Sequence, residues 1–142
     1  MLRDYSVRWR NHPLLHRARI LVAEDQPFIA LELALAIEDA GGEVVGPAAS
    51  VEEALILIAA LPLGAAILDV NLADGDCSAV VEVLAGLRVP MILQTGVGLP
   101  PSLANRFPEL RVHIKPCATA QLITELESLI ADQAASVGPA MG

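Results

Sequence analysis

Short apolar runs alternate along this chain with longer stretches in which apolar positions recur every three or four residues. Ile20 to Ala23 form the first run and stop at Glu24 and Asp25. Pro27 then suits the first turn of a helix, and Ile29, Leu33 and Ile37 mark one face of it until Gly41 and Gly42 interrupt. Val44 and Val45 read as a second strand, closed by Gly46 and Pro47. Ser50 followed by Glu53 is a capping-box signature, and Leu55 and Ile58 carry a second helix to Leu61 and Pro62. Residues 65 to 68 are a third strand, and a loop through Asp74, Gly75 and Asp76 leads to a third helix around Ala79 to Leu84. Pro90 precedes a fourth strand at 91 to 94. Gly96, Gly98, Pro100 and Pro101 then postpone any helix, leaving a short one from about Ser102 to Arg106. A fifth strand at 112 to 114 and a last helix, capped by Thr119 and faced by Leu122, Leu126, Leu129 and Ile130, complete the pattern. Regular alternation of this kind predicts an α/β domain with a doubly wound, five-stranded parallel sheet and a short or irregular fourth helix.

Composition adds limits to that picture. A chain of 142 residues with 54% hydrophobic content fits one domain with a full core, and 3% aromatics means that Ala, Leu, Val and Ile must build it. No run of about 18 apolar residues predicts a membrane span, and no apolar segment follows the basic N-terminus as a secretory signal would. Cys77 and Cys117 lack metal-site spacing and read as free thiols of a reducing cytosol. Five of the nine basic residues lie within the first nineteen positions, so the remainder holds four basic against sixteen acidic residues, a formal balance of −12. Such a body repels nucleic acid and attracts divalent cations. The organisation expected is a basic tail over 1–18, one domain over 19–132 and a flexible tail over 133–142. His12 and His16 fall in the first tail and read as solvated.

The chemistry-bearing residues stand at the ends of the strand-like runs. Glu24 and Asp25 follow the first, Asp69 the third, Thr95 the fourth, and Lys115, the only lysine of the chain, the fifth. In a parallel sheet these ends share one edge, where ligands of such folds bind. Carboxylates gathered there repel unless a cation neutralises them, and Mg²⁺, a hard ion that takes oxygen ligands, meets that need. Asp69 is then a plausible nucleophile toward phosphorus, with Lys115 and the Thr95 hydroxyl contacting phosphoryl oxygens. A chain that uses Arg at every other basic position and Lys only here points to a need for a compact ammonium. His113, between two apolar strand residues, reads as a packed or partly exposed side chain.

These residues, in this order, resemble the receiver domain of two-component response regulators, over residues 19 to about 132. The likeness rests on Glu24 and Asp25, on Asp69 in Leu68, Asp69, Val70, Asn71, on Thr95, and on Lys115 before Pro116. It implies a flavodoxin-like receiver fold and a phosphoprotein with Asp69 as phosphoacceptor. Asp25, Asp69 and the backbone carbonyl of Asn71 would ligate Mg²⁺, Glu24 would act through water, and Thr95 and Lys115 would bind the phosphoryl group. It also implies a sensor histidine kinase or histidine phosphotransfer protein as donor, docking near the first helix. The protein would be no enzyme in the usual sense, but an acceptor that promotes its own phosphorylation and dephosphorylation.

Departures from the pattern are as informative. Val112 stands where most receivers carry an aromatic, Ala73 where a proline is familiar, and Cys117 where Phe often follows Lys and Pro. The stretch Leu93 to Gly98 resembles the FAT GUY subgroup of receivers, often stand-alone regulators. With no output domain expected after the last helix, action should be by binding an unknown downstream protein, or as a phosphate sink, without nucleic acid or membrane insertion. Two alternatives compete. A pseudo-receiver would be a pure interaction module, though neither its Asp nor its Lys is lost here. An aspartate-nucleophile phosphatase of the haloacid dehalogenase type would want its nucleophile on the first strand, with an acid rather than Asn71 two residues on. A dinucleotide site fails because no glycine-rich fingerprint follows Ala23.

Overall fold

The computed structural model describes residues 15–141, with side chains through Gln133. Strands β1 (Arg19–Ala23), β2 (Glu43–Ala48) and β3 (Ala65–Asp69) alternate with helices α1 (Pro27–Asp39) and α2 (Val51–Ala60). A two-residue ribbon, β4 (Asn71–Leu72) and β5 (Gly75–Asp76), then precedes α3 (Ser78–Gly86). The chain continues through β6 (Met91–Thr95), α4 (Pro101–Arg106), β7 (Arg111–Ile114) and α5 (Thr119–Met141). The main sheet has five parallel strands in the order β2-β1-β3-β6-β7. The doubly wound sheet and the short fourth helix are thus as the periodicity predicts.

Alternation along each central strand divides the core between two faces. Leu21, Ala23, Ala66, Leu68 and Leu93 pack with Ala54 and Ile58 of α2 and with Val80, Val81 and Leu84 of α3. Ile20, Val22, Ala65, Ile67 and Ile92 pack against Leu33 and Ile37 of α1 and Leu122 and Leu126 of α5. Strands covered on both faces read as continuous apolar runs, which is why β1 and β3 stand out in the sequence.

Several local expectations are corrected. Strand β2 does not end at Gly46 but runs through Gly46 and Pro47 to Ala48. It is an edge strand, where a missing N–H costs least, and its register with β1 shifts between Leu21 and Ala23. At Gly46, φ is +99° and a Cβ would meet Ala48 N at 2.8 Å, so only glycine fits that bend. The loop expected at Asp74 to Asp76 is partly the β4–β5 ribbon. Thr119 is the first residue of α5, not its cap: the carbonyl of Ala118 accepts from Gln121 and Leu122. Leu15, expected in a tail, is fully buried beside Ile37, while residues 1–14, with Arg3, Arg8, Arg10 and His12, lie outside the described residues. Helix α5 continues past 132 to Met141. No helix among the described residues is long and apolar enough to cross a membrane.

Candidate phosphoacceptor site

Strand register explains why residues distant in sequence meet. Ala23 is paired with Leu68, and Asp69 with Gln94, so β1, β3 and β6 end at one level. One step beyond Ile20 and Val22 comes Glu24, one beyond Ala65 and Ile67 comes Asp69, and one beyond Ile92 comes Gln94. The apolar alternation facing α1 and α5 therefore continues as a polar tier at the C-terminal edge. Glu24 and Asp69 are buried there, while Asp25, at the mouth, is exposed.

Lys115 closes this tier from the end of β7. Its Nζ donates to Asp69 Oδ2 at 2.8 Å and to Glu24 Oε1 at 3.1 Å. The Asn71 N–H donates to the other Asp69 oxygen, Oδ1, at 3.1 Å, and the Gln26 N–H to Glu24 Oε2 at 3.2 Å. Burial pushes the Glu24 carboxyl up from an ordinary 4.5 to about 7, reinforced by the Asp69 carboxylate and opposed by Gln26 and Lys115. Burial works against the Lys115 charge too, yet hydrogen bonds to Asp69 and Glu24 outweigh it and raise the ammonium pKa. One carboxylate oxygen from each of Glu24, Asp25 and Asp69 lies within 4.8 Å of the others. Three hard oxygen donors, one of them driven toward protonation by burial and by the Asp69 carboxylate, form a set that a divalent cation would relieve. The residues present thus fit Mg²⁺.

Thr95 is arranged otherwise. Its side chain is fully buried, and its hydroxyl donates to Gly98 O at 2.8 Å while accepting from the N–H groups of Val97 at 3.2 Å and Gly98 at 3.1 Å. The structure therefore brings together Glu24, Asp25, Asp69, Asn71 and Lys115, and leaves the Thr95 hydroxyl turned into its own loop. His113 packs against α5, with Nε2 2.6 Å from Glu125 Oε1. Two polar features escaped the sequence reading. Gln94 is buried, its Oε1 accepting from Cys117 Sγ at 3.2 Å and its Nε2 without a partner. The Asp74 carboxylate accepts from Val51 N at 2.7 Å and Glu52 N at 3.2 Å, on a helix distant in sequence. A strand-end Gln and a DG turn were the available signals, and neither reveals a partner.

No family model matches the chain, and no curated protein does. Solved structures do match. A CheY-like response regulator receiver domain protein from Methanospirillum hungatei JF-1 is 24% identical, with a TM-score of 0.74, over 84% of this chain and 98% of that one. A sensor protein from Polaromonas sp. JS666 is 28% identical, with a TM-score of 0.70, over 82% of this chain and 98% of that one. The chain has the receiver-domain fold. The response regulator PhyR from Brucella abortus extends the likeness: it is 26% identical, with a TM-score of 0.64, over 96% of this chain, which spans 60% of that protein. The carboxylate tier and Lys115 lie at the C-terminal edge of that fold's parallel sheet.

Proposed function

We propose that this chain is a receiver that takes a phosphoryl group onto Asp69 from a phosphohistidine of a sensor kinase or phosphotransfer protein. The observation that carries the reading is the paired contact of Lys115 Nζ with Asp69 and Glu24, in a tier whose third carboxylate is the exposed Asp25. A carboxylate oxygen of Asp69 attacks phosphorus, the P–N bond breaks, and the imidazole nitrogen leaves with the electron pair. No general base is needed because a carboxylate nucleophile, unlike a hydroxyl, has no proton to surrender as it attacks. The Lys115 ammonium and the Asn71 N–H orient the Asp69 carboxylate before the reaction. Bound Mg²⁺, held by Asp25, Asp69 and the Asn71 carbonyl with Glu24 acting through water, would supply charge neutralisation at the phosphoryl oxygens.

Signalling onward by altered protein binding, or draining phosphate from a shared kinase, both follow from an acceptor of this kind. Free thiols at Cys77 and Cys117 suit a reducing cytosol. The FAT GUY placement rests on Leu93 to Gly98 alone. One observation favours the competing pseudo-receiver reading: the Thr95 hydroxyl is satisfied within its own loop. A single experiment separates the two. With Mg²⁺ and a small acyl phosphate donor, intact-mass spectrometry should show one added phosphoryl group on the wild type and none on Asp69→Asn. A folded, Mg²⁺-binding wild type that gains none is a pseudo-receiver.

A further inference from the structure

The Asp74 carboxylate caps α2 from outside its own segment, and what else meets at that point gives the contact a use. The first turn of α2 needs partners for its free N–H groups. Ser50 Oγ serves Glu53 N at 3.1 Å in the capping box, whereas Val51 and Glu52 are served only by Asp74, from the turn between β4 and β5. The same junction touches both limbs of the carboxylate tier. The Ala48 carbonyl accepts from Glu24 N at 2.8 Å, and the Ala49 carbonyl accepts from Ala73 N at 3.0 Å. The ribbon carrying Ala73 and Asp74 begins at Asn71, whose N–H holds Asp69 Oδ1. A closed frame thus runs from Glu24 to the β2–α2 junction, across to the ribbon, and back to Asp69.

We infer that Asp74 is a positioning residue: by clamping the ribbon to the start of α2, it sets the placement of Asn71 and Asp69 relative to Glu24 and Asp25. The inference rests on the phosphoacceptor reading for its purpose, but its geometry stands without it. The ribbon needs such a clamp because its own pairing is only Asn71 with Asp76 and Leu72 with Gly75, too short to hold itself. The Asp74 contact is also solvent-exposed and makes no packing contribution that would confuse it with the core.

Ser50 supplies the control, since it caps the same turn of the same helix without touching the ribbon. Asp74→Ala, Asp74→Asn and Ser50→Ala are compared with wild type by melting temperature, by amide exchange of the metal-free proteins and by Mg²⁺ titration. Both alanine variants should lower the melting temperature. Only Asp74→Ala should speed exchange at Asn71 and Ala73, by about tenfold or more, and weaken Mg²⁺ binding by the roughly 10- to 100-fold typical of lost outer-shell support. Asp74→Asn, which keeps one acceptor for Val51, should recover part of both. Equal effects of Asp74→Ala and Ser50→Ala on exchange at Asn71 and on Mg²⁺ affinity would overturn the inference. If the wild type binds no Mg²⁺, the phosphoacceptor reading falls, and the exchange comparison alone decides the role of Asp74.

Discussion

Two cysteines and one lysine show how a residue's surroundings set its chemistry. Burial pushes the Cys77 thiol up to about 12, and partial burial raises Cys117 as well, despite the nearby Lys115 ammonium. Thiolate, the nucleophile, is therefore scarce at both. With iodoacetamide at pH 8, native protein should alkylate slowly at the half-buried Cys117 and scarcely at Cys77, with unfolding equalising the two; peptide mapping reads the order. Lys115→Met removes the sole ammonium that faces Glu24 and Asp69 among the described residues, leaving two buried carboxylates without it. Breaking a buried pair costs about 3–5 kcal/mol, and the cost here should fall to roughly 1–3 because Glu24 can take a proton. Urea unfolding at neutral pH without metal measures it, and a variant as stable as wild type would show that the ammonium does not hold the tier together. The chain's only lysine stood out in the sequence by its rarity and its strand-end position, and the structure sets it against Glu24 and Asp69. Gln94 was not, because nothing in the letter Q at a strand end distinguishes an exposed amide from a buried one.

At the scale of elements, β7 and α5 are joined by a cluster whose response to pH has a definite sign. Burial would raise the Glu125 carboxyl, but hydrogen bonds from His113 and from Arg111, 3.1 Å away, hold it below the usual carboxylate value. A carboxylate with a depressed folded pKa adds stability above its unfolded pKa and loses it as pH falls through the folded one. Glu125→Gln should therefore be less stable than wild type near neutrality, with the gap closing on the acid side of about pH 4, as urea midpoints at pH 7 and pH 3.5 would report. The capping signature at Ser50 and Glu53 was visible from spacing because its partners are local: Ser50 Oγ accepts from Glu53 N as expected, while the Glu53 carboxylate reaches back to Ala49 N and Ser50 Oγ rather than to the Ser50 N–H. The continuation of β2 through Gly46 and Pro47 was not visible, because their acceptability depends on β2 lying at the sheet's edge. Strand order is a property of the whole sheet, not of the segment.

Across the whole molecule, and on the phosphoacceptor reading proposed above, the Thr95 loop would be the route by which occupancy of the site reaches the surface. One buried hydroxyl holds Val97 and Gly98 by three hydrogen bonds, and Val97 itself is 88% exposed. If a phosphoryl group on Asp69 draws that hydroxyl away, the loop from Gly96 loses its anchor and the equilibrium of the segment to Ile114 shifts. Amide exchange with and without a phosphoryl mimic should show lost protection at Val97 and Gly98, and unchanged exchange there would sink this route. The sequence by itself determined the types and order of the five main-sheet strands and the five helices, though not the β4–β5 ribbon, because periodicity and burial on both faces leave their mark residue by residue. It also determined which side chains stand at strand ends. Only the tertiary structure decided which of them meet. Register placed Asp69 level with Gln94, the sheet order brought Lys115 onto Asp69 and Glu24, and the Thr95 hydroxyl turned away into its loop. Periodicity is a local property of the chain, whereas a contact across 91 residues, such as Lys115 with Glu24, exists only once strand pairing has closed the distance.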